Sequence, residues 1–172
     1  MTADVTLREV MDSDLPIFFE QESDLDARYM AAFTSEDRND REAFMAHWAK
    51  IRSNSSSVER TILAAGQVAG SIVSWSEVDA GGESTREVGY WLGKAFWGQG
   101  IATRALALFI RELPTRPLYA HAAKDNLASI RVLEHCGFTL CEEGVYYSQA
   151  RRAEIAEVLL KLDAPGPSAA SA

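Results

Sequence analysis

Long apolar runs are missing from this chain. No stretch approaches the ~20 residues that a membrane-spanning helix requires, so a membrane role is not expected. The segment Met1 to Val10 carries acids but no basic stretch followed by an apolar one, so a secretory leader is not expected either. Cysteine is scarce. Cys136 and Cys141 lie close together and share no zinc-ligand spacing with the three histidines. Two reduced thiols, no metal and a cytoplasmic setting are therefore expected. Positive charge is also short: 17 Lys and Arg face 25 Asp and Glu, for a net charge of −8. Such a surface repels polyanions, which argues against nucleic acid as a partner. It attracts cations and amines, or serves solubility alone. No internal repeat is present.

What remains is an ordinary globular composition, 47% hydrophobic over 172 residues, which suits one domain with one core. The domain is expected over 5–163, followed by a disordered Pro-, Ser- and Ala-rich tail over 164–172. Val5 to Val10 alternates like a strand. Asp12, Ser13 or Asp14 can cap a helix that takes Pro16 in its first turn and buries Ile17, Phe18 and Phe19. Asn39 and Asp40 offer a second cap, before Phe44, Trp48 and Ile51 at helical spacing. Val58 to Ala65 and Val68 to Val78 read as a hairpin turning at Gly66-Gln67. Arg86 to Leu92 is a third strand in succession. A helix over 102–113 ends at Pro114. A strand then runs from Pro117 to Ala123, and Asn126 caps a helix that Gly137 stops. Phe138 to Tyr147 and Ala153 to Leu162 close the chain as two strands. The order β-α-α-β-β-β-α-β-α-β-β predicts an α+β (mixed α/β) fold with one mixed, mostly antiparallel sheet flanked by helices.

The chemistry-bearing stretch runs from Glu87 to Thr103. A strand (Glu87-Val88-Gly89-Tyr90-Trp91-Leu92) leads through a glycine-bearing turn (Trp97-Gly98-Gln99-Gly100) into a helix that starts Ile101-Ala102-Thr103. Unpaired N–H groups at such a helix start favour an anion, and Gly98 and Gly100 let a phosphate approach the main chain. No Lys-Ser/Thr follows and no third glycine is correctly spaced, which excludes the nucleoside-triphosphate loop and the dinucleotide fingerprint. A tight strand-to-helix turn is the ordinary alternative. A second stretch, Asn126-Leu127-Ala128-Ser129 continuing to Cys136-Gly137-Phe138, pairs a capped helix with a Gly-Phe exit.

Together the two stretches resemble the GNAT superfamily of N-acetyltransferases. The first is similar to its pyrophosphate loop, Gln/Arg-x-x-Gly-x-Gly/Ala. Trp97 stands where the pattern has Gln or Arg, while Gly100 and Ala102 keep the other fixed positions. The form Tyr-Trp-Leu-Gly followed by Trp-Gly-x-Gly-x-Ala-Thr resembles the branch that holds the ribosomal-protein serine/alanine N-terminal acetyltransferases. The resemblance covers nearly the whole chain. It implies acetyl-CoA (coenzyme A) as co-substrate, without metal, and an amine-bearing acceptor: a polypeptide N-terminus, an amino acid or a small amine. A homodimer would also be in keeping with it. A catalytically weak acyl-CoA-binding or sensing module of the same fold is the alternative.

The resemblance also assigns roles. Backbone groups of Tyr90, Trp91 and Leu92 would pair with the pantetheine arm, the side chains of Tyr90 and Trp91 serving as core packing. Amides of Trp97, Gly98, Gln99, Gly100, Ile101, Ala102 and Thr103 would hold the pyrophosphate. Asn126 would cap its helix, contact the cofactor, or both. Ser129 would stand near the thioester sulfur, since the tyrosine that some relatives place on this helix is replaced here by Val132, Leu133 and Glu134. The acceptor amine must lose a proton, to His121, to Glu87 through water, or to water alone. Arg28, Tyr29 and Phe33 would shape the acceptor pocket, between acid runs 20–26 and 36–42.

Overall fold

The computed structural model describes residues 2–34 and 40–164, so that Asn39, positions 36–39 of the second acid run and all but the first residue of the expected 164–172 tail lie outside the described residues. The first strand, β1 (Val5–Arg8), leads into a 3-10 turn at Asp12–Asp14 and then α1 (Leu15–Glu22). Asp14 precedes α1 as expected of a cap, but its carboxylate is turned elsewhere. Buried to 2% exposure, it accepts from both terminal nitrogens of Arg8 at 2.7 and 2.8 Å, from Met11 N–H at 2.9 Å and from the Thr61 hydroxyl at 2.7 Å. Burial alone would raise its pKa; these donors and the Arg8 charge outweigh burial and hold the carboxyl at about 2.

A helix absent from the sequence reading follows. It is α2 (Leu25–Ala31), capped by Asp24, whose side chain accepts from Ala27 N–H at 2.9 Å, and ended by Ala32 in the left-handed region. Only Ala27 and Arg28 of this helix are buried. So short a contact leaves no apolar periodicity, and its acids read as a charge run. The third helix, α3 (Arg41–Ser53), is capped by Asp40 and buries Phe44 and Trp48.

Strands β2 (Val58–Ala64), β3 (Gln67–Val78) and β4 (Ser84–Leu92) form the expected antiparallel meander. Then come α4 (Ile101–Glu112), β5 (Leu118–Ala123), α5 (Leu127–His135), β6 (Thr139–Ser148) and β7 (Ala153–Leu162). The sheet is seven-stranded in the order β1-β2-β3-β4-β5-β7-β6. Every neighbouring pair is antiparallel except β4 with β5.

Alternation along the strands divides the core between the two faces. On one face, α4 and α5 pack Ala105, Leu106, Phe109 and Leu133 against Ile72, Val88, Leu118, Ala120 and Leu160. On the other, Phe18 of α1 and Phe44 and Trp48 of α3 form a smaller cluster over Val68 and Val73. Gly70 fixes where β4 meets β3. A Cβ there would lie 2.0 Å from the Trp91 carbonyl oxygen, so only glycine allows the approach.

Candidate functional site

The seam between β4 and β5 is closed over two residue pairs only, Arg86 with Leu118 and Glu87 with Tyr119. Beyond them β4 stays bonded to β3 as far as Leu92, and β5 stays bonded to β7 as far as Ala123. The two strands therefore splay from Val88 onward while each keeps its outer neighbour. Main-chain groups along the opened seam face a gap and call for partners. An extended ligand carrying amides can supply them, as an added strand does.

The gap leads to the glycine loop. After a 3-10 turn at Lys94–Phe96, Gly98 and Gly100 hold φ of 73° and 72°, a left-handed backbone that glycine adopts at no steric cost. No atom lies within 4 Å of where a Cβ would stand at either residue, so the space beside the loop is open. The first internal bond of α4 runs from Arg104 N–H to the Gly100 carbonyl at 3.3 Å. The N–H groups of Ile101, Ala102 and Thr103 precede it. No side chain caps this helix and no acid lies in its first turn, so its positive end is left for an anion. These features fit a diphosphate joined to an extended amide-bearing arm.

The loop is braced from within. Arg104 donates to the carbonyls of Gly100 at 3.2 Å, of Gln99 at 3.0 Å and of Ala3. Gln99 Nε2 donates to the Ala95 carbonyl at 3.1 Å. Trp97 differs from its neighbours. Its N–H is spent on the Lys94 carbonyl at 3.2 Å, and its indole N–H on the Leu92 carbonyl at 2.9 Å. The amides open to an anion thus begin at Gly98, and the Leu92 carbonyl is engaged.

Asn126 has both side-chain groups in use. Its Oδ1 accepts from Ser129 N–H at 3.2 Å, capping α5, and its Nδ2 donates to the Met30 carbonyl at 3.1 Å, holding the end of α2. Ser129 sits one turn into α5, where its hydroxyl lies 3.0 Å from that of Tyr90. Packing alone, expected for the Tyr90 side chain, does not describe it: its hydroxyl has a polar partner. Trp91, by contrast, keeps a buried indole nitrogen without a hydrogen-bond partner among the described residues. Cys136 is half-buried, and burial pushes its thiol up, as befits a packed thiol.

Glu87 and His121, read from the sequence as alternatives, stand together on the opposite face of the sheet from Tyr90. His121 Nε2 lies 3.4 Å from Glu87 Oε1, and Nδ1 lies 3.6 Å from Glu157 Oε2. The imidazole pKa is raised: hydrogen bonding to Glu87 is the main cause, burial opposes it, and the charges of Glu87, Glu157 and Glu77 add to it. Glu157 escaped the sequence reading because it joins the pair only through the β5–β7 register.

The three expected pocket residues each make their own contacts. Arg28 is buried, and its Nε donates to the Glu22 carbonyl at 2.5 Å, fixing the bend between α1 and α2. Tyr29 is exposed under the Arg151 guanidinium, 4.4 Å from the ring centroid. Phe33 meets the edge of Tyr146 with centroids 5.0 Å apart. Arg151 was not anticipated. It donates to the Tyr29 carbonyl at 2.7 Å and forks onto Asp125 at 2.7 and 2.9 Å. Beside it, an open cavity of about 340 Å³ is lined by Lys124, Asp125, Arg151, Ile155 and Ala156. No local pattern marks this place, because it is assembled from the ends of β5 and the β6–β7 turn. Among the described residues no His, Cys, Asp and Glu cluster could hold a metal, and no helix is long and apolar enough to cross a membrane.

A sheet splayed between two parallel strands and an uncapped helix start led by glycines make a place that fits a diphosphate-bearing ligand. The acetyltransferase (GNAT) domain matches residues 4–139, and the chain belongs to this acetyltransferase family. A comparison with curated proteins finds no significant match. Solved structures share the fold at low identity. A ribosomal-protein-alanine N-acetyltransferase from Brucella melitensis superposes with a TM-score of 0.77 at 22% identity, over 92% of this chain and 99% of that one. RimJ from Mycobacterium smegmatis, in complex with CoA-disulfide, gives 0.74 at 21% identity, over 93% and 82%. YncA from Salmonella typhimurium, a putative acetyltransferase with its cofactor acetyl-CoA, gives 0.73 at 20% identity, over 95% and 98%.

Proposed function

We propose that this protein is an acetyl-CoA-dependent N-acetyltransferase that transfers acetyl directly to a primary amine. The observation that carries the reading is the seam opened from Val88 onward, leading to the uncapped start of α4. When bound, acetyl-CoA supplies an acetyl group activated as a thioester. The N–H groups of Gly98, Gln99, Gly100, Ile101, Ala102 and Thr103 hold the pyrophosphate, and the main chain of Tyr90, Trp91 and Leu92 lines the arm. The Ser129 hydroxyl offers a hydrogen bond to the thioester sulfur at the Tyr90 side of the gap.

An aliphatic amine is mostly protonated at neutral pH and cannot attack until it loses that proton. In this reading the Glu87–His121 pair takes it, directly or through water. Because His121 gains protons more readily than a free imidazole, its share of this work grows as pH rises. The acidic surroundings, with Glu77 and Glu157 close by, favour an acceptor that arrives as a cation. A cytoplasmic setting accords with two unpaired cysteines.

The test has two parts. Acetyl-CoA at 100 times its dissociation constant should stabilise the fold by about 2.7 kcal/mol. A panel of peptide N-termini, amino acids and small amines should then release free thiol with at least one member. Stabilisation without release from any amine would favour the weakly catalytic binding module instead.

A further inference from the structure

Two side-chain bridges cross the β4–β5 seam, one on each face. Glu87 and His121 tie the closed end on the α1–α3 face. On the α4–α5 face, Tyr90 rises from the splayed part of β4 and meets Ser129 on α5, the helix that follows β5, at 3.0 Å between hydroxyl oxygens. The second bridge thus joins the two rims of the gap itself.

Chemistry decides which hydroxyl donates. A phenol, with a pKa near 10, is a stronger donor than an aliphatic alcohol, and the serine oxygen is the better acceptor because the phenol's electrons are shared with its ring. Burial raises the Tyr90 phenol further, so it keeps its proton throughout the neutral range. Ser129 is held in place by its own N–H on Asn126 Oδ1. Among the described residues its hydroxyl has Tyr90 as partner. With Tyr90 donating, the single proton of the serine hydroxyl is not spent on the phenol.

We propose that Tyr90 is a positioning residue for acyl transfer: its phenol donates to Ser129 Oγ across the rim of the seam and turns the serine proton toward the sulfur of a thioester held there. This rests on the function proposed above. As the amine nitrogen bonds to the acetyl carbon, the carbon–sulfur bond breaks and its electron pair stays on sulfur. The hydrogen bond from Ser129 stabilises that charge. The amine gives up one proton and the thiolate finally takes one from solvent, so Tyr90 and Ser129 end as they began.

The experiment uses free coenzyme A as well as turnover. Calorimetric titration first shows whether the wild-type protein binds coenzyme A; no binding would overturn the cofactor reading itself, and this proposal with it, before any variant is compared. The thiol pKa of bound coenzyme A, followed by thiolate absorbance, should lie below that of the free compound. Tyr90→Phe, which keeps the ring, should raise it, as should Ser129→Ala, and the double variant should match Ser129→Ala alone. Tyr90→Phe should also lower kcat by about tenfold, with KM for the amine and Kd for coenzyme A within about twofold. A wild-type thiol pKa and kcat in Tyr90→Phe, or losses that add in the double variant, would overturn the role of Tyr90 while leaving the cofactor site standing.

Discussion

Along the open seam and at the start of α4 the candidate site is made of main chain; around α2, the β6–β7 turn and His121 it is made of side chains. In the first region a ligand would meet the open seam after Val88 and the N–H groups at the start of α4. In the second it would meet Arg151 forked onto Asp125, Tyr29 under that guanidinium, and the carboxylates around His121. Main-chain sites tolerate almost any side chain but demand particular backbone angles, and glycine records those angles in sequence. Side-chain sites draw on distant segments and leave no local record. One region should therefore be broken by backbone and charge changes, the other by removing single functional groups.

The largest effect is expected in the scaffold rather than in either region. Asp14 ties α1 to β1 and β2 through Arg8 and Thr61. Asp14→Ala should cost about 3 kcal/mol of stability, because it leaves the buried Thr61 hydroxyl and the Met11 N–H without their acceptor, while the partly exposed Arg8 can turn to water. Urea unfolding checks this, and the folded fraction should bind acetyl-CoA as before. The same carboxyl sets an acid limit. Its folded pKa of about 2 lies below the ordinary 3.8, so its contribution is present above that ordinary value and is lost as pH falls toward 2. In the variant that part of the acid sensitivity should vanish.

Next comes the main-chain region. Gly100→Glu places a carboxylate where the loop faces an anion and forces a left-handed residue to carry a side chain. The dissociation constant for coenzyme A should rise about a hundredfold, equivalent to about 2.7 kcal/mol, while the chain stays folded by circular dichroism. Wild-type affinity would remove the loop from the site.

How far sequence alone leads follows the same division. Each strand and four of the helices were legible because their apolar spacing and caps are local, as with Asp40 before α3 and Asn126 before α5. The seven-residue α2 was not, since it buries only Ala27 and Arg28. The glycine loop was legible, but the commitment of Trp97 to the carbonyls of Lys94 and Leu92 depends on the turn's three-dimensional path. Glu87 and His121 were both named, yet their meeting depends on the parallel register of β4 on β5. Arg151, Asp125 and Glu157 are brought in by strand order, which no short pattern encodes.

Two smaller effects sharpen the contrast. Arg151→Ala detaches Tyr29 from the β6–β7 turn; KM for the amine should rise by about tenfold, with coenzyme A affinity unchanged. Equal losses for both ligands would blur the division between the regions. Glu87→Gln removes the main cause of the raised His121 pKa. The acidic limb of kcat/KM should then move to lower pH, toward the ordinary imidazole value. A limb that stays in place would exclude His121 as the group that must lose its proton.

The most direct measurement is a crystal structure of the protein with coenzyme A. The diphosphate should lie on the N–H groups of residues 98–103, with the pantetheine arm running between β4 and β5 past Tyr90 toward Ser129. Coenzyme A bound elsewhere, with the seam after Val88 still empty, would contradict the account.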